Sequence, residues 1–197
     1  MTANPDIAIR ELEAGDTDRL VEIALAAWTP VFSSFRDILG PELFDLTRPD
    51  CRKEKADQIR KACQADSPAK VLVAQNRDGM GRDGMGRDDM GRDDMGRDDM
   101  GRDDMGGDII AGFVSYYPEA REPGVAEIGN NAVHPDFQNR GIAQMMYQEV
   151  FQRLRSEGIQ FVKVHTGGDP SHLPARLAYE KAGFNISLPG VEYYRRL

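Results

Sequence analysis

The chain has 197 residues, a formal net charge of −8 and only two cysteines. This length suits one domain with a full hydrophobic core, and the mildly acidic composition argues against a sequence-independent nucleic-acid binder. No apolar run reaches membrane-spanning length, and the first residues lack the basic-then-apolar order of a signal peptide. Cys51 and Cys63 have no metal-ligand spacing around them. We therefore expect a single cytoplasmic domain over residues 1–197, without nucleic-acid or membrane partners and without a metal.

The first third of the chain predicts a short strand followed by helices. Residues 7–9 alternate into Arg10 as a strand would, and a wide apolar face indicates a helix that begins after Asp16 and ends at Pro30. Residues 30–50 carry scattered apolar side chains between prolines, which is typical of a loop with a helical turn or two. A polar helix over about residues 50–65 and a strand over 71–74 follow.

Residues 78–107 repeat a five-residue unit six times, with ten Asp and five Arg. The unit offers only one Met to bury and at least one glycine, so it cannot stack as a solenoid. Its Asp pairs lack the spacing of a known calcium loop and alternate with Arg, which competes for the carboxylates. The composition predicts a disordered insertion that replaces a hairpin turn between two strands.

The remaining elements follow at regular spacing. Turn residues and apolar periodicity predict strands over 109–117, 125–133 and 161–166, helices over 142–157 and up to Gly183, and a closing hairpin of 184–188 with 191–195. The predicted order is β-α-α-β-β-β-α-β-α-β-β. This order indicates an α+β fold with a mixed, mostly antiparallel central sheet flanked by helices, which contains one βαβ unit.

The stretch over residues 130–144 passes from a strand through a short turn directly into an amphipathic helix. The first N–H groups of such a helix have no helical partner, and the helix dipole adds positive potential there. Gly141 lets the backbone approach a ligand closely. The turn therefore predicts a phosphate-binding site.

Two motifs in this half of the chain resemble one family. Gln138-Asn139-Arg140-Gly141-Ile142-Ala143 matches the Arg/Gln-x-x-Gly-x-Gly/Ala signature of the GNAT superfamily of acyl-CoA-dependent N-acyltransferases. The segment from Leu177 to Phe184 resembles the family's late helix-to-strand segment. The resemblance covers about residues 6–77 and 108–197 and implies a GNAT fold.

The resemblance implies that acetyl-CoA is the co-substrate. Its pyrophosphate would lie on the backbone amides of the signature turn, which are those of Asn139, Arg140, Gly141, Ile142, Ala143 and Gln144. The preceding strand would splay from the next one, so that backbone groups of Ala132, Val133 and His134 pair with the pantetheine arm and the thioester. A free N–H at Val133 would stabilise the oxyanion.

The reaction needs a proton acceptor and a proton donor. Freeing a lysine-like amine at pH 7 requires about 4–5 kcal/mol, so a base is useful. Glu127 is the first candidate, because the resemblance places it where histone-acetylating members of the family carry a glutamate base, and strand alternation puts it on the face of Val133, six residues later. The alternative is an exposed strand glutamate without a role. His165, on the neighbouring strand, is the second candidate. Tyr179 aligns with the family's tyrosine, which protonates the departing thiolate.

Further side chains have predicted roles in binding CoA or the acceptor. His172 stands where many family members have an asparagine that bonds the pantetheine chain. Arg140 and Arg176 either meet the 3′-phosphate of CoA or are solvated surface charges. Trp28, Phe32 and Phe35 are candidate walls of the acceptor pocket or members of the core.

The sequence thus predicts an N-acetyltransferase that moves the acetyl group directly from acetyl-CoA to a small-molecule or peptide amine in a ternary complex. The alternative is a non-catalytic acyl-CoA-binding module with the same fold. A third possibility is that the repeat over 78–107 is the functional part, as a tether or a metal-responsive segment. A monomer or a homodimer is expected.

Overall fold

The computed structural model of the protein describes residues 6–77, 109–119 and 122–197, and these residues form a five-stranded sheet. The strands lie in chain order across the sheet, antiparallel except for the parallel pair β4 and β5. Their bounds are β1 Ile7–Glu11, β2 Lys70–Asn76, β3 Ile109–Tyr117, β4 Val125–Val133 and β5 Phe161–Val164. The predicted mixed, mostly antiparallel sheet is confirmed.

Helices cover both faces of this sheet. In the described ranges they are α1 Asp16–Leu39, α2 Pro41–Thr47, α3 Cys51–Ala62, α4 Ile142–Ser156 and α5 Leu173–Ala182. On one face, α1 and α3 bury Leu20, Ile23 and Ile59 against strands β2 and β3. On the other face, α4 buries Met146 and Val150 in a second core cluster that also contains strand residues and part of α5. The sheet therefore separates two hydrophobic cores.

The predicted end of the first helix at Pro30 is wrong, because α1 continues through this proline to Leu39. A proline inside a helix removes one backbone hydrogen bond and costs about 3 kcal/mol. Beyond it, Val31 is buried, and Phe32 and Phe35 stack against arginines of the following segments. This packing outweighs the local preference. Most of residues 30–50, predicted as a loop, is consequently helical.

The predicted closing hairpin is also wrong, since residues 184–197 form neither strand nor helix. Their spacing of apolar residues is strand-like, yet Ile186, Leu188 and Val191 are 79–99% exposed. A strand needs a partner to hydrogen-bond its backbone, and Pro189 removes one donor from the segment. Within this segment, Arg196 forms an ion pair with Glu42 of α2.

The repeat over 78–107 lies outside the residues that the structure describes. Its predicted disorder therefore stays a prediction. The strands on its two sides do pair antiparallel, from Lys70 opposite Tyr116 to Asn76 opposite Ile109. The insertion therefore joins neighbouring ends of β2 and β3, where a hairpin turn was expected. Among the helices that the structure describes, none combines the length and apolarity that crossing a membrane requires.

Candidate active site

Strands β4 and β5 separate part-way along their length. Their parallel pairing ends with Ile128 opposite Val164, whereas β4 continues to Val133. In the described part of the chain, the last five residues of β4 therefore have no strand beside them on the β5 side. This opening is the splay that the family resemblance implied.

A bulge in β4 lies beside the opening. Val114 and Tyr116 of β3, two residues apart, pair with Asn131 and Ile128 of β4, which are three apart. The extra residue reverses the alternation of side chains along β4. Val133 packs against the core beneath α4, and its neighbour Ala132 lies in the core beneath α1.

The bulge corrects one argument made from the sequence. Uninterrupted alternation would place Glu127 and Val133 on the same face, but the bulge puts them on opposite faces. Glu127 also lies where β4 and β5 are paired, opposite Lys163, and its carboxylate is 3.5 Å from the Lys163 Nζ. The argument from strand alternation for Glu127 as the base is therefore wrong, while its role is a prediction still to be tested.

Backbone groups of β4 face the opening. The His134 N–H donates to the Ala111 carbonyl across the sheet at 2.8 Å, so the preceding N–H, that of Val133, faces the other way. The Val133 carbonyl accepts a hydrogen bond from Gln138 Nε2 at 3.2 Å. The Val133 amide is thus oriented as an oxyanion donor would have to be.

The signature turn brings a helix start to the same place. Asn139 and Gly141 adopt left-handed conformations, with φ of 63° and 78°, and α4 begins at the next residue, Ile142. The first helical hydrogen bond runs from the Met145 N–H to the Gly141 carbonyl, and no side chain caps the helix start. The amides of residues 142–144 precede that bond and suit an anion.

The surface in front of this turn is open. A Cβ added to Gly141 would meet nothing within 4 Å. Arg140 stacks on Phe137, with 5.1 Å from its Cζ to the ring centroid, and donates to the Asp136 carbonyl. The Gln144 side chain is buried and donates to the Ala178 carbonyl at 2.7 Å, which ties α4 to α5. Its backbone amide is the part that could face a phosphate.

Tyr179 reaches the opening from α5. Its hydroxyl accepts a hydrogen bond from Asn131 Nδ2 at 3.0 Å, and Asn131 Oδ1 accepts one from the Tyr147 hydroxyl at 2.8 Å. Burial raises the pKa of Tyr179, and the hydrogen bonds from Asn131 and Tyr147 partly oppose this rise. The phenol therefore keeps its proton at neutral pH, and that proton can be donated to a ligand.

The remaining predicted side chains lie elsewhere. His165 directly follows β5 and is exposed. His134 Nδ1 accepts the Asp136 N–H at 3.3 Å, so its ring holds the turn before α4. Arg176 donates to the carbonyls of Gly167 and Asp169 at 2.7 and 2.8 Å. Arg176 thus braces a loop, which neither of its two expected roles anticipated.

His172 lies at the start of α5 and is 8% exposed. Its Nδ1 is 2.5 Å from Asp169 Oδ2, and its ring contacts Trp28 and Phe35 of α1, with centroid separations of 6.0 and 5.7 Å. No hydrogen bond of its other ring nitrogen occurs within the described residues. The predicted contact with the pantetheine chain is still a prediction.

The aromatic residues proposed for the acceptor side form one stripe along α1. Each ring stacks with a cation. The Trp28 ring centroid is 3.4 Å from Lys55 Nζ. The centroid of Phe32 is 5.9 Å from Arg52 Cζ, and that of Phe35 is 4.7 Å from Arg48 Cζ. Lys55 is buried, and burial lowers its pKa to about 8. Its Nζ also donates to Gln58 and to Asn130 in the bulge of β4. The stripe therefore connects α1 to α3 and to the bulge.

The geometry can be compared with known proteins. Residues 95–184 match the sequence profile of the family described as Acetyltransferase (GNAT) family. The second half of the chain is therefore similar to GNAT-family domains. No curated protein matches the chain significantly in sequence.

Solved structures agree with this assignment at the level of the fold. A protein from Desulfovibrio desulfuricans assigned to the GNAT family is 18% identical with a TM-score of 0.57, and the match covers 92% of this chain and 87% of that one. The PaiA N-acetyltransferase of Thermoplasma acidophilum, solved with coenzyme A, is 18% identical with a TM-score of 0.55, covering 92% and 91%.

An aminoglycoside acetyltransferase, meta-AAC0020, from an uncultured soil metagenomic sample is 16% identical with a TM-score of 0.51 over 98% of both chains. At identities of 16–18%, these structural matches show the fold alone, which is the GNAT fold.

Within this GNAT fold, sequence reasoning missed three polar groups. Asn131 gave no signal because its role depends on a bulge, and Asp169 gave none because its contacts with Ser34 and His172 depend on the folded loop. Lys55 lies in the predicted polar helix, yet it is buried. An isolated lysine facing an aromatic at position 28 could not be recognised without the packing of α1 on α3.

Proposed function

We propose that this protein is an N-acetyltransferase that transfers the acetyl group of acetyl-CoA directly to an amine acceptor in a ternary complex. The observation that carries this proposal is the opening between β4 and β5, which has an uncapped helix start at one end and the Tyr179 hydroxyl at its side. A donor thioester needs both features, since its phosphates require amides and its leaving thiolate requires a proton.

The binding part of the proposal uses backbone groups. The amides of residues 139–144 would hold the pyrophosphate, and those of Ala132, Val133 and His134 would pair with the pantetheine arm and the thioester. The two left-handed residues of the turn and the open space before Gly141 support this arrangement. The coenzyme A bound to the PaiA relative supports the choice of ligand.

In the proposed chemistry, the neutral amine attacks the thioester carbonyl carbon and the C–S bond breaks. The Val133 N–H stabilises the negative charge that develops on the carbonyl oxygen. Tyr179 donates its proton to the departing sulfur, and Asn131 holds the phenol in place. Glu127 and His165 are the bases predicted from the sequence, although Glu127 is paired with Lys163.

The acceptor is proposed to be a small-molecule or peptide amine that enters beside α1. The stripe of Trp28, Phe32 and Phe35 supplies aromatic surface, and the aminoglycoside acetyltransferase relative supports a small-molecule amine. Acceptor binding should change the fluorescence of Trp28, which is the only tryptophan in the chain.

The proposed function is tested by following the release of the CoA thiol with a panel of amines. The panel contains an aminoglycoside, a polyamine, an amino acid and a peptide amino terminus, with a reaction lacking acceptor as the control for hydrolysis. At least one amine should raise thiol release above the control and yield an N-acetylated product. If coenzyme A binds but no amine is acetylated, the non-catalytic module would be the better description.

Replacing Tyr179 with Phe separates the enzyme from the binding module. Loss of a general acid lowers turnover by about 10²–10⁴-fold, while the affinity for coenzyme A should stay within about threefold. Tyr194→Phe is the matched control, because Tyr194 lies in the exposed segment after α5. Unchanged turnover of the Tyr179 variant would remove this residue from the mechanism.

A further inference from the structure

A histidine–carboxylate pair lies in the loop between β5 and α5. His172 Nδ1 is 2.5 Å from Asp169 Oδ2, and the Asp169 carboxylate also accepts hydrogen bonds from Ser34 Oγ and the Ser171 N–H. The loop backbone is braced by Arg176, and a Cβ added to Gly167 would lie 2.5 Å from His172 Nδ1. The pair is therefore held by three elements and tolerates no side chain at Gly167.

The environment of Asp169 determines the tautomer of His172. Burial raises the pKa of Asp169, but hydrogen bonds from Ser171 and His172 outweigh this effect and lower it to about 2. An ionised carboxylate accepts hydrogen bonds only, so the neutral imidazole carries its proton on Nδ1. The lone pair is then on Nε2. Such an arrangement of a carboxylate behind an imidazole is how proteins orient a histidine as a base.

The Nε2 atom is available to a ligand. It makes no hydrogen bond in the described part of the chain, and it is not among the fully buried polar atoms that lack a partner there. The ring lies against Trp28 and Phe35, which belong to the stripe proposed to meet the acceptor. A base at this position would contact the amine rather than the phosphates of the donor.

The position of His172 relative to Tyr179 also suits a base. His172 immediately precedes α5, and Tyr179 lies within this helix, seven residues further along the chain. Tyr179 belongs to the core on the α4 side of the sheet, whereas His172 contacts α1 on the other side. A thioester in the opening would thus have a proton donor on one side and a proton acceptor on the other.

We propose that His172, held by Asp169, is the general base that deprotonates the amine acceptor. This proposal rests on the proposed acetyltransferase function. Nε2 takes one proton from the ammonium group, the nitrogen lone pair forms the N–C bond, and the C–S bond breaks. Of the two protons that the ammonium loses, one leaves through His172 to solvent. The other replaces the proton that Tyr179 gives to the sulfur, so that the products are the acetylated amine and the CoA thiol.

The charged groups around His172 in the described part of the chain come from its own loop, from α5 and from the residues stacked on α1. Asp169 and Arg176 belong to the loop and to α5, and Lys55 and Arg48 lie on the rings of Trp28 and Phe35 that His172 also contacts. Glu127 lies at the paired end of β4 with Lys163, and His165 is exposed after β5. Neither of these two is held by a second group in the way that Asp169 holds His172.

The test uses His172→Asn in the full chain, because asparagine is the residue that many GNAT proteins have at this position. If His172 only contacted the pantetheine chain, asparagine would preserve turnover. If His172 is the base, the variant should lose about 10²-fold or more in kcat, while its affinity for coenzyme A should stay within threefold of the wild-type value. The acidic limb of its pH–rate profile should disappear. The assay uses the panel amine that the wild-type protein acetylates fastest.

Asp169→Asn is the second variant, and it keeps the shape of the loop. As a positioning change it should lower kcat and shift the acidic limb. A downfield proton resonance is expected for His172 Nδ1 in the wild-type protein, and the variant should lack it. Thermal unfolding of each variant checks that the fold is intact. If either His172→Asn or Asp169→Asn retains turnover and its acidic limb, the proposal is wrong.

His165→Asn makes the same substitution on the exposed histidine. If only this variant loses the acidic limb, the base is His165 and our proposal is overturned. A wild-type protein that acetylates no amine of the panel would instead contradict the acetyltransferase function itself, and the base would fall with it.

Discussion

The donor side and the acceptor side of the candidate site are built in different ways. The donor side consists of backbone groups at the end of β4 and the start of α4, positioned by left-handed residues at Asn139 and Gly141. The acceptor side consists of side chains that meet across long stretches of sequence, such as Trp28 with His172 and with Lys55. A short motif can specify the first kind of site, whereas the second kind needs the whole fold.

Asn131 joins the two sides, so its loss should have the largest effect among the variants outside the acid and the base. Asn131→Ala leaves the buried hydroxyls of Tyr179 and Tyr147 without their shared partner. We expect kcat to fall about 10²-fold and the free energy of unfolding to fall by about 1–3 kcal/mol. Steady-state kinetics and urea denaturation measure the two effects.

Tyr147→Phe is the comparison for this variant. It removes one hydrogen bond of Asn131 but leaves the bond to Tyr179. Turnover should therefore fall less than in Asn131→Ala. An equal loss in both variants would mean that packing around the opening, rather than the position of the phenol, controls the rate.

The donor side is tested by Gly141→Ala. A Cβ on a left-handed residue destabilises the fold by about 1–2 kcal/mol, and at Gly141 it also approaches the proposed phosphate site. Coenzyme A affinity should fall about tenfold, which corresponds to 1.4 kcal/mol. Calorimetric titration measures this change.

Gly158→Ala is the matched control, because Gly158 has a φ of 81° and also open space around it, but follows α4 at its other end. It should lose similar stability and keep its affinity for coenzyme A. If both variants bind coenzyme A equally well, the turn does not hold the phosphates.

Lys55 allows the acceptor side to be tested through stability. Its folded-state pKa of about 8 lies below the ordinary value of 10.5, so the unfolded chain binds more protons between these values. The penalty for the buried charge is complete below pH 8 and disappears as the pH rises towards 10.5. It amounts to about 3 kcal/mol before the attraction of the Trp28 ring is counted.

Lys55→Met should remove this pH dependence. The free energy of unfolding of the wild-type protein should rise relative to that of the variant between pH 7 and pH 10. Comparing the two proteins cancels the titration of other groups, which include buried tyrosines. A difference that stays constant with pH would show that Lys55 titrates normally in the folded state.

The smallest effect is expected for Glu127→Gln. The Glu127–Lys163 ion pair is partly exposed, with side-chain exposures of 36% and 40%, and such pairs contribute about 0.2–1 kcal/mol. With His172 as the base, kcat should change by less than about threefold, as measured at saturating acetyl-CoA. A loss of 10²-fold with this variant would return the role of base to Glu127.

Local patterns predicted the elements around the donor side well. The strand before the signature turn and the helix start at Ile142 were located from periodicity and from Gly141 alone. The same reasoning failed where distant contacts decide the outcome. Pro30 does not end α1, because aromatic residues beyond it stack on cations from the next segments.

The predictions for β4 and for the segment after α5 failed for a related reason. A glycine inside a strand is compatible with a bulge, but Gly129 alone does not specify one, and the extra residue decides which side chains share a face with Val133. Residues 184–197 have the spacing of strands, but strand formation depends on a neighbouring edge that local spacing does not reveal.

The central claim is that coenzyme A lies in the opening between β4 and β5 with its phosphates on the start of α4. A titration of the ¹⁵N-labelled full chain with coenzyme A, followed by backbone amide shifts, tests it directly. We predict the largest shifts at the amides of Gly141, Ile142 and Ala143, together with Val133. Saturable binding that leaves these amides unshifted, or shifts concentrated in α1–α3, would contradict the account.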